Sequence, residues 1–426
     1  MKYLTRFLGA LVVASLLPAT ALATNGMFLI GHTAKSVAMG GAAVAFPQDA
    51  MSGATNPASI VELGPRADID AAFFVPRAAA TLGAFTAESH GDFYLMPAMG
   101  LVIPIDYETV MGFSAVGAGG GGSRYNSNLY DLATSGFPTG GNNTGNVGVL
   151  LMVMQMNPTL AQRINDTNTI GASLVIGVQQ FRAFGLGNFT TFTTSQNSAN
   201  MTDRGSEFTF GYGLRLGWLG KKYEEQGLTL GAVYTTKTYM KPFDRYSELF
   251  AEHGDIDTPG NVAVGAALKI SPKVTVAMDI VRYYYSEVKS IANLGPTTSG
   301  PVFPTSKAEN GLGEDAGLGF GWSDQTVYKL GVHYERNSKW IYRAGWNYGK
   351  SPINEDREIA FNIVAPATVQ HHATLGATYK LSKNYELNTS YMHAFTFTQS
   401  GPTYIGGSGS IKMMQNAVNV GFGFTF

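Results

Sequence analysis

Few residues in this chain fall into patterns that could do chemistry. His371 and His372 are adjacent and look like a metal pair. Neighbouring residues of a strand point to opposite faces, so the two do not share an ion. The run Gly119 to Gly122 suggests a phosphate cradle. It lacks the Gly-Lys-Ser/Thr ending and no helical pattern follows, so a glycine-rich loop tip is its plain reading. No Ser/His/acid set stands at a recognisable spacing, and no enzyme, cofactor or metal is expected. What remains is a scatter of charges that strand parity turns to the inner face of the barrel argued below: Arg215, Lys237, Asp279, Lys329, Glu335 and Arg343. One of the cations, Lys237 or Arg215 above all, could pair with the carboxylate of an amphipathic ligand. The plainer alternative is that these charges pair with one another.

The elements that would hold these charges are legible from their period. Phe208, Phe210, Tyr212, Leu214, Leu216 and Trp218 interleave with Thr209, Gly211, Gly213, Arg215 and Gly217. Tyr328 to Tyr334, Trp340 to Tyr348 and Val418 to Phe426 alternate in the same way. Period-2 alternation is the mark of strands with two unlike faces. A soluble sandwich would bury the bulky face. A transmembrane barrel turns it to lipid and keeps small and polar residues in the lumen. Aromatics near segment ends (Tyr283, Tyr284, Tyr285, Trp340, Tyr342, Trp346, Tyr348) suit interfacial girdles and favour the barrel. No later stretch offers the run of apolar residues that a membrane helix needs.

Fourteen strands are expected, near 66–78, 92–103, 108–118, 147–163, 168–184, 206–219, 227–241, 259–270, 273–287, 324–335, 339–350, 367–381, 385–397 and 411–426. Short turns follow the even strands, such as Ser271-Pro272 and Arg336-Asn337-Ser338, and longer loops follow the odd ones. An even count with alternating short and long connections fits an antiparallel outer-membrane barrel with both ends in the periplasm. The final Phe426, with aromatics at alternate positions before it, suits recognition by the outer-membrane assembly machinery.

Two segments precede the strands. Residues 1–23 read as a secretory signal: Lys2 and Arg6, a short apolar run, then Ala21-Leu22-Ala23. Residues 24–65 contain a stretch, Asn25 to Ile60, whose only fixed charges are Lys35 and Asp49. Its small side chains bury too little apolar area for a core of its own. We read it as a plug inside the barrel of residues 66–426. Asp49 can cap one helical turn, and Asn56, with Pro57 after it, a second. The chain has no Cys, so no disulfide framework is possible, and its formal net charge of −1 argues against a nucleic-acid partner.

Gly40-Gly41, Asp49-Ala50 and especially Asn56-Pro57-Ala58 give the N-terminal segment a resemblance to the FadL-type outer-membrane transporters of long-chain fatty acids and hydrophobic compounds. Asn157-Pro158-Thr159-Leu160-Ala161, Thr258-Pro259, Tyr342-Arg343-Ala344-Gly345, Ser351-Pro352-Ile353 and Tyr391-Met392-His393 extend it along the mature chain. The resemblance implies a fourteen-stranded barrel, an N-terminal hatch in the lumen and passive uptake. It also implies a third strand that kinks inward and opens a lateral hole, with Gly112 and Gly117 as the glycines concerned. Here Val116-Gly117-Ala118 and Gly119 to Gly122 replace the family's usual Pro-Phe-Gly-like continuation. The expected protein is thus a monomeric outer-membrane barrel, surrounded by lipid and lipopolysaccharide. It would take up hydrophobic small molecules past a hatch in which Gly40, Gly41, Asp49, Asn56, Pro57 and Ala58 hold or gate the path. A general porin and a surface adhesin barrel are the alternatives.

Overall fold

The computed structural model describes residues 25–90, 93–133, 145–192, 198–223, 227–295, 311–354, 358–404 and 407–426. The secretory signal expected at 1–23 lies outside them. The chain is an antiparallel barrel built from sixteen strand segments. Two strands are interrupted, so the wall has fourteen. They are β1 (Arg66–Leu82), β2 (Phe85–Ser89 and Tyr94–Pro104), β3 (Thr109–Tyr125), β4 (Val147–Asn165) and β5 (Asn168–Phe184). Then follow β6 (Glu207–Tyr223), β7 (Leu228–Thr235 and Tyr239–Met240), β8 (Asn261–Ser271), β9 (Val274–Tyr283) and β10 (Gln325–Glu335). The last four are β11 (Trp340–Gly349), β12 (His371–Lys380), β13 (Tyr385–Pro402) and β14 (Ser408–Thr425). β1 pairs with β14 from Arg66↔Thr425 to Leu82↔Gly409, which closes the sheet and removes its edges.

Burial separates the two faces as a bilayer requires and a soluble sandwich does not. Tyr212 is 68% exposed, while Arg215, on the opposite face of the same strand, is 6% exposed. Leu214, Leu216, Ile69, Met278 and Leu375 are likewise exposed apolar residues of the outer face. His371 and His372 point to opposite faces, the first exposed and the second fully buried. At the outer end the long loops fold over the mouth. Phe181, Phe243, Tyr246 and Phe250 pack together there, and Phe320 stacks on Phe361 at 4.8 Å.

Three expectations need correction. β1 runs on to Leu82 and turns through Gly83 and Ala84, where a loop at 79–91 was expected. Gly119 to Gly122 is not a loop tip, because β3 continues through it to Tyr125. And β7 is broken at residues 236–238, so strand parity does not place Lys237 in the lumen.

Candidate ligand path through the barrel

The segment from Asn25 to Glu62 fills the lumen with three short helical pieces, each started by a side chain. Thr33 caps α1 (Ala34–Ala38) reciprocally with Ser36. Gly40 and Gly41, at φ +64° and +85°, end it; a side chain at Gly40 would strike the Trp346 backbone at 2.7 Å. Asp49 accepts the Met51 N–H at 3.1 Å and opens a 3₁₀ turn over Ala50–Ala54. Asn56 opens a second over Pro57–Glu62, accepting the Ala58 N–H at 3.1 Å, with Pro57 in the first position where no donor is needed. Pro57 and Ala58 rest on β5, where a Cβ at Gly171 would lie 2.5 Å from both.

The wall holds this hatch by hydrogen bonds to its exposed backbone. Asp70 accepts the Ala34 N–H at 2.8 Å and Asp68 the Ala50 N–H at 2.8 Å. Asp279 accepts those of Ala43 and Val44 at 2.7 and 3.0 Å. These amides at or near the starts of short helical pieces and in the turn beyond α1 have few partners within the hatch, and a buried donor left unpaired is costly. Asn56 donates from Nδ2 to Val44 O at 2.8 Å and to Trp218 O of β6 at 3.1 Å. Lys35 pairs with Glu386, and Arg66 binds both Asp68 and Glu386, at 2.7 and 2.8 Å. The wall is also cut to fit. A Cβ would come within 2.6 Å of the hatch backbone from Gly100 and Gly231, 2.5 Å from Gly331 and closest of all, against Gly40 N and Met39 C, from Gly345. Wall glycines on opposite sides of the lumen thus form the seat. Asp68 and Asp70 were visible in the sequence as two carboxylates on one face of the first strand, and the seat glycines as small lumenal residues. Their common partner was not.

Three cavities meet along the strip Met27–His32. One lies under the outer loops and is wholly apolar, lined by Met27, Leu151, Phe181, Phe250, Phe320 and Trp322 among others. A second, narrow, is lined by Phe28, Ile30, Val44, Ala263, Val281 and Tyr283, and by Arg215, Lys329 and His32. Arg215 donates once from each nitrogen, to Thr235, Asn157 and Gln155 at 3.1, 3.1 and 3.2 Å, all neutral acceptors. Lys329 donates to Ile30 O at 3.1 Å and sits opposite Asp279 in register. Among the described residues neither forms a salt bridge. Lys237 is differently placed. It is ion-paired with Asp257 at 2.8 Å and lies 5.1 Å from the Tyr239 ring centroid. Of the two candidate cations, only Arg215 reaches the cavity.

The third cavity, the narrowest, runs from Leu29–His32 to Phe74, Met96, Pro97 and Gly117. It ends at a defect in the wall. β2 and β3 pair from Pro104↔Val110 to Ala98↔Val116 and then part, meeting again only at Ser89↔Tyr125. Between these points the edge of β3 pairs with the hatch: Gly120 donates to Met27 O at 2.8 Å, and Leu29 to Ala118 O at 3.4 Å. A register shift against β4 at Gly117/Gly119 marks the bend. Gly117 is on the rim of the gap, where a Cβ would lie 3.4 Å from Met96 Cβ. Gly112 is not; it sits in the paired stretch, and its Cβ would meet Ile60 Cδ1 of the hatch at 2.9 Å.

A family model described as outer membrane protein transport protein (OMPP1/FadL/TodX) matches residues 10–403. No curated protein matches the chain. Among solved structures, the Pseudomonas putida toluene transporter TodX is similar over 93% of this chain and 99% of its own, at 18% identity and a TM-score of 0.68. A Pseudomonas aeruginosa FadL homologue is similar over 94% and 100%, at 14% identity and a TM-score of 0.69. The Ralstonia pickettii toluene transporter TbuX is similar over 93% and 98%, at 18% identity and a TM-score of 0.64. At these identities the structural likeness carries the fold alone.

Proposed function

Because the chain belongs to the outer membrane protein transport family (OMPP1/FadL/TodX), outer-membrane transporters of hydrophobic compounds, we propose that it takes up long-chain fatty acids or similar amphiphiles by passive diffusion. The observation that carries this reading is the pair of cations, Arg215 and Lys329, lining a cavity of mixed apolar and polar walls and, among the described residues, salt-bridged to no carboxylate. A ligand carboxylate would gain charge-assisted hydrogen bonds there. Its chain would gain roughly 0.8 kcal/mol for each methylene removed from water. The ligand is captured in the apolar cavity under the outer loops, passes the Met27–Phe28 strip into the cationic cavity, and leaves past Gly117 into the bilayer. Hatch displacement would open the first of these steps. The apolar outer cavity also favours a second reading, in which neutral aromatic or aliphatic hydrocarbons are the cargo.

Side-by-side uptake of oleate and toluene, in a deletion strain with and without the protein, separates the two. Arg215→Met with Lys329→Met should lower oleate uptake about tenfold and leave toluene unchanged. Protein-dependent toluene uptake without oleate uptake would overturn the fatty-acid reading. Gly117→Trp should block the exit of either cargo, and unaltered uptake would remove the lateral route. A large, stable aqueous conductance would instead mark a general porin.

A further inference from the structure

The short turns at the periplasmic end carry charge of opposite sign on opposite sides of the barrel. The β8–β9, β10–β11 and β12–β13 turns, with the strand ends that flank them, hold the exposed cations Lys269, Lys273, Arg336, Lys339, Lys380 and Lys383. Among the described residues none of these forms a salt bridge. Two acids stand beside them. Glu335 lies 3.5 Å from His333, and Glu386, opposite Lys380 in register, is bound by Lys35 and Arg66. Lys339 and Lys380 are directly across from each other, where the Lys380 N–H donates to the Lys339 carbonyl at 2.9 Å. The β2–β3 and β4–β5 turns hold the exposed acids Asp106, Glu108 and Asp166 instead. Arg163, the cation beside them, is 3.8 Å from Glu62, which also binds Lys221 of β6. In the β6–β7 turn Lys222 is outnumbered by Glu224 and Glu225.

The cations share their side with an aromatic belt. Trp340 stacks on Tyr342 at 5.9 Å and packs on Tyr379 at 4.7 Å, and Tyr385 stacks on Phe424 at 4.9 Å. Lys339 precedes Trp340 and Lys380 follows Tyr379, so both cations stand at the rim, one residue beyond the belt. On β2 to β5 the exposed outward residues at this end are Ile103, Ile105, Leu160 and Ile164, with Tyr107 the aromatic among them. Trp and Tyr mark the headgroup level, and lysine stems lie along apolar surface while their charge reaches the polar layer. Like charges set opposite each other repel, and an anion between them removes that penalty. We propose that Lys273, Arg336, Lys339, Lys380 and Lys383 form a docking face for the headgroup phosphates of anionic phospholipid in the inner leaflet. Its place beside the belt, at headgroup depth, favours lipid over a soluble acidic protein. The face lies across the barrel from the gap between β2 and β3. The turn joining those two strands carries Asp106 and Glu108, which repel the same headgroups. Anionic lipid would thus be gathered on the side away from the place where the wall opens.

The test uses the purified full barrel in vesicles of phosphatidylcholine and phosphatidylglycerol, with one lipid or the other carrying brominated chains. Bromine quenches tryptophan fluorescence at short range and so reports which lipid lies against which side of the wall. The chain has four Trp, and two of them suit the purpose: Trp340 on the basic side and Trp218 of β6 away from it. Barrels keeping only one of these, the other Trp replaced by Phe, are compared. Trp340 should show a preference for phosphatidylglycerol of at least about fivefold, the contribution of one cation near a charged lipid surface. Trp218 should show none. With Trp340 as reporter, Arg336→Gln/Lys339→Gln/Lys380→Gln should abolish the preference and Arg336→Lys should keep it. Lys241→Gln/Arg282→Gln/Lys289→Gln, which removes the same charge from the outer end, should keep it too. Heat-modified gel mobility confirms that each barrel is folded. Equal quenching of Trp340 by the two lipids would overturn the proposal and leave the face to an acidic periplasmic protein. A preference that survives in the first triple variant, or one as large at Trp218, would also overturn it.

Discussion

Replacing Asn56 by Ala should release the hatch without unfolding the barrel. The Asn56 side chain is fully buried and makes three hydrogen bonds: from Ala58 N at 3.1 Å, to Val44 O at 2.8 Å and to Trp218 O at 3.1 Å. Loss of the cap costs about 1 kcal/mol. Each of the two carbonyls left without this donor costs about another 1 kcal/mol. The hatch is thus held about 3 kcal/mol less tightly, while the fourteen-strand ladder loses none of its own bonds. At 1.4 kcal/mol per decade, this raises the open population about a hundredfold. Amide hydrogen exchange reads that population directly, because local openings exchange at rates set by their own free energy. Amides of residues 42–62 should lose about two decades of protection, and those of β10 to β14 none. Unchanged hatch protection would show that Asn56 does not hold the hatch. Equal loss across the barrel would show that hatch and wall open as one unit.

The remaining expectations concern the same contact. His32 lies in the hatch with its accessible surface turned to enclosed cavities, and burial, aided by the Arg215 charge, pushes its pKa down to about 4. A released hatch would bind the proton at about 6.5. Docking is therefore fully favourable above pH 6.5 and loses about 3 kcal/mol as the pH falls towards 4; the same exchange experiment follows this, and His32→Gln should flatten the profile. Gly345→Ala would drive a methyl into the backbone at Met39 and Gly40 and cost about 1–3 kcal/mol. Planar-bilayer recordings should show frequent transient openings in that variant and few in the wild type. Asp70→Ala strands the Ala34 N–H and the Asn419 amide and should weaken docking by about 1–3 kcal/mol, again visible by exchange.

The wall was readable in the sequence because lipid outside and water or hatch inside impose a period on each strand separately. Phe208 to Trp218 shows its two faces without help from any other segment. The places that were not readable depend on partners far along the chain. Gly119 to Gly122 looks like a loop because glycine has little strand preference, yet its pairing with Leu150 to Val153 of β4 and the Gly120 bond to Met27 hold it extended. Lys237 was placed inward by parity, which fails where β7 breaks, and its partner Asp257 lies in the following loop. Gly112 and Gly117 look alike in sequence. Only the register shows that one faces Ile60 and the other the gap.

The seam where β1 meets β14 has a bearing on assembly. The hatch crosses it from inside: Ala34 is bonded to Asp70 on β1, Lys35 to Glu386 on β13, and Asn419 of β14 shares Asp70. Arg66, the first residue of β1, joins the same group through Asp68 and Glu386. The last strand to be made therefore meets the first over a surface that the hatch helps to form. An empty barrel would bring Asp68, Asp70 and Glu386 together at the seam without Lys35. Plugging the lumen and joining the ends are in this sense one event, and an N-terminal segment too small to fold alone acts as the template on which the cylinder is finished.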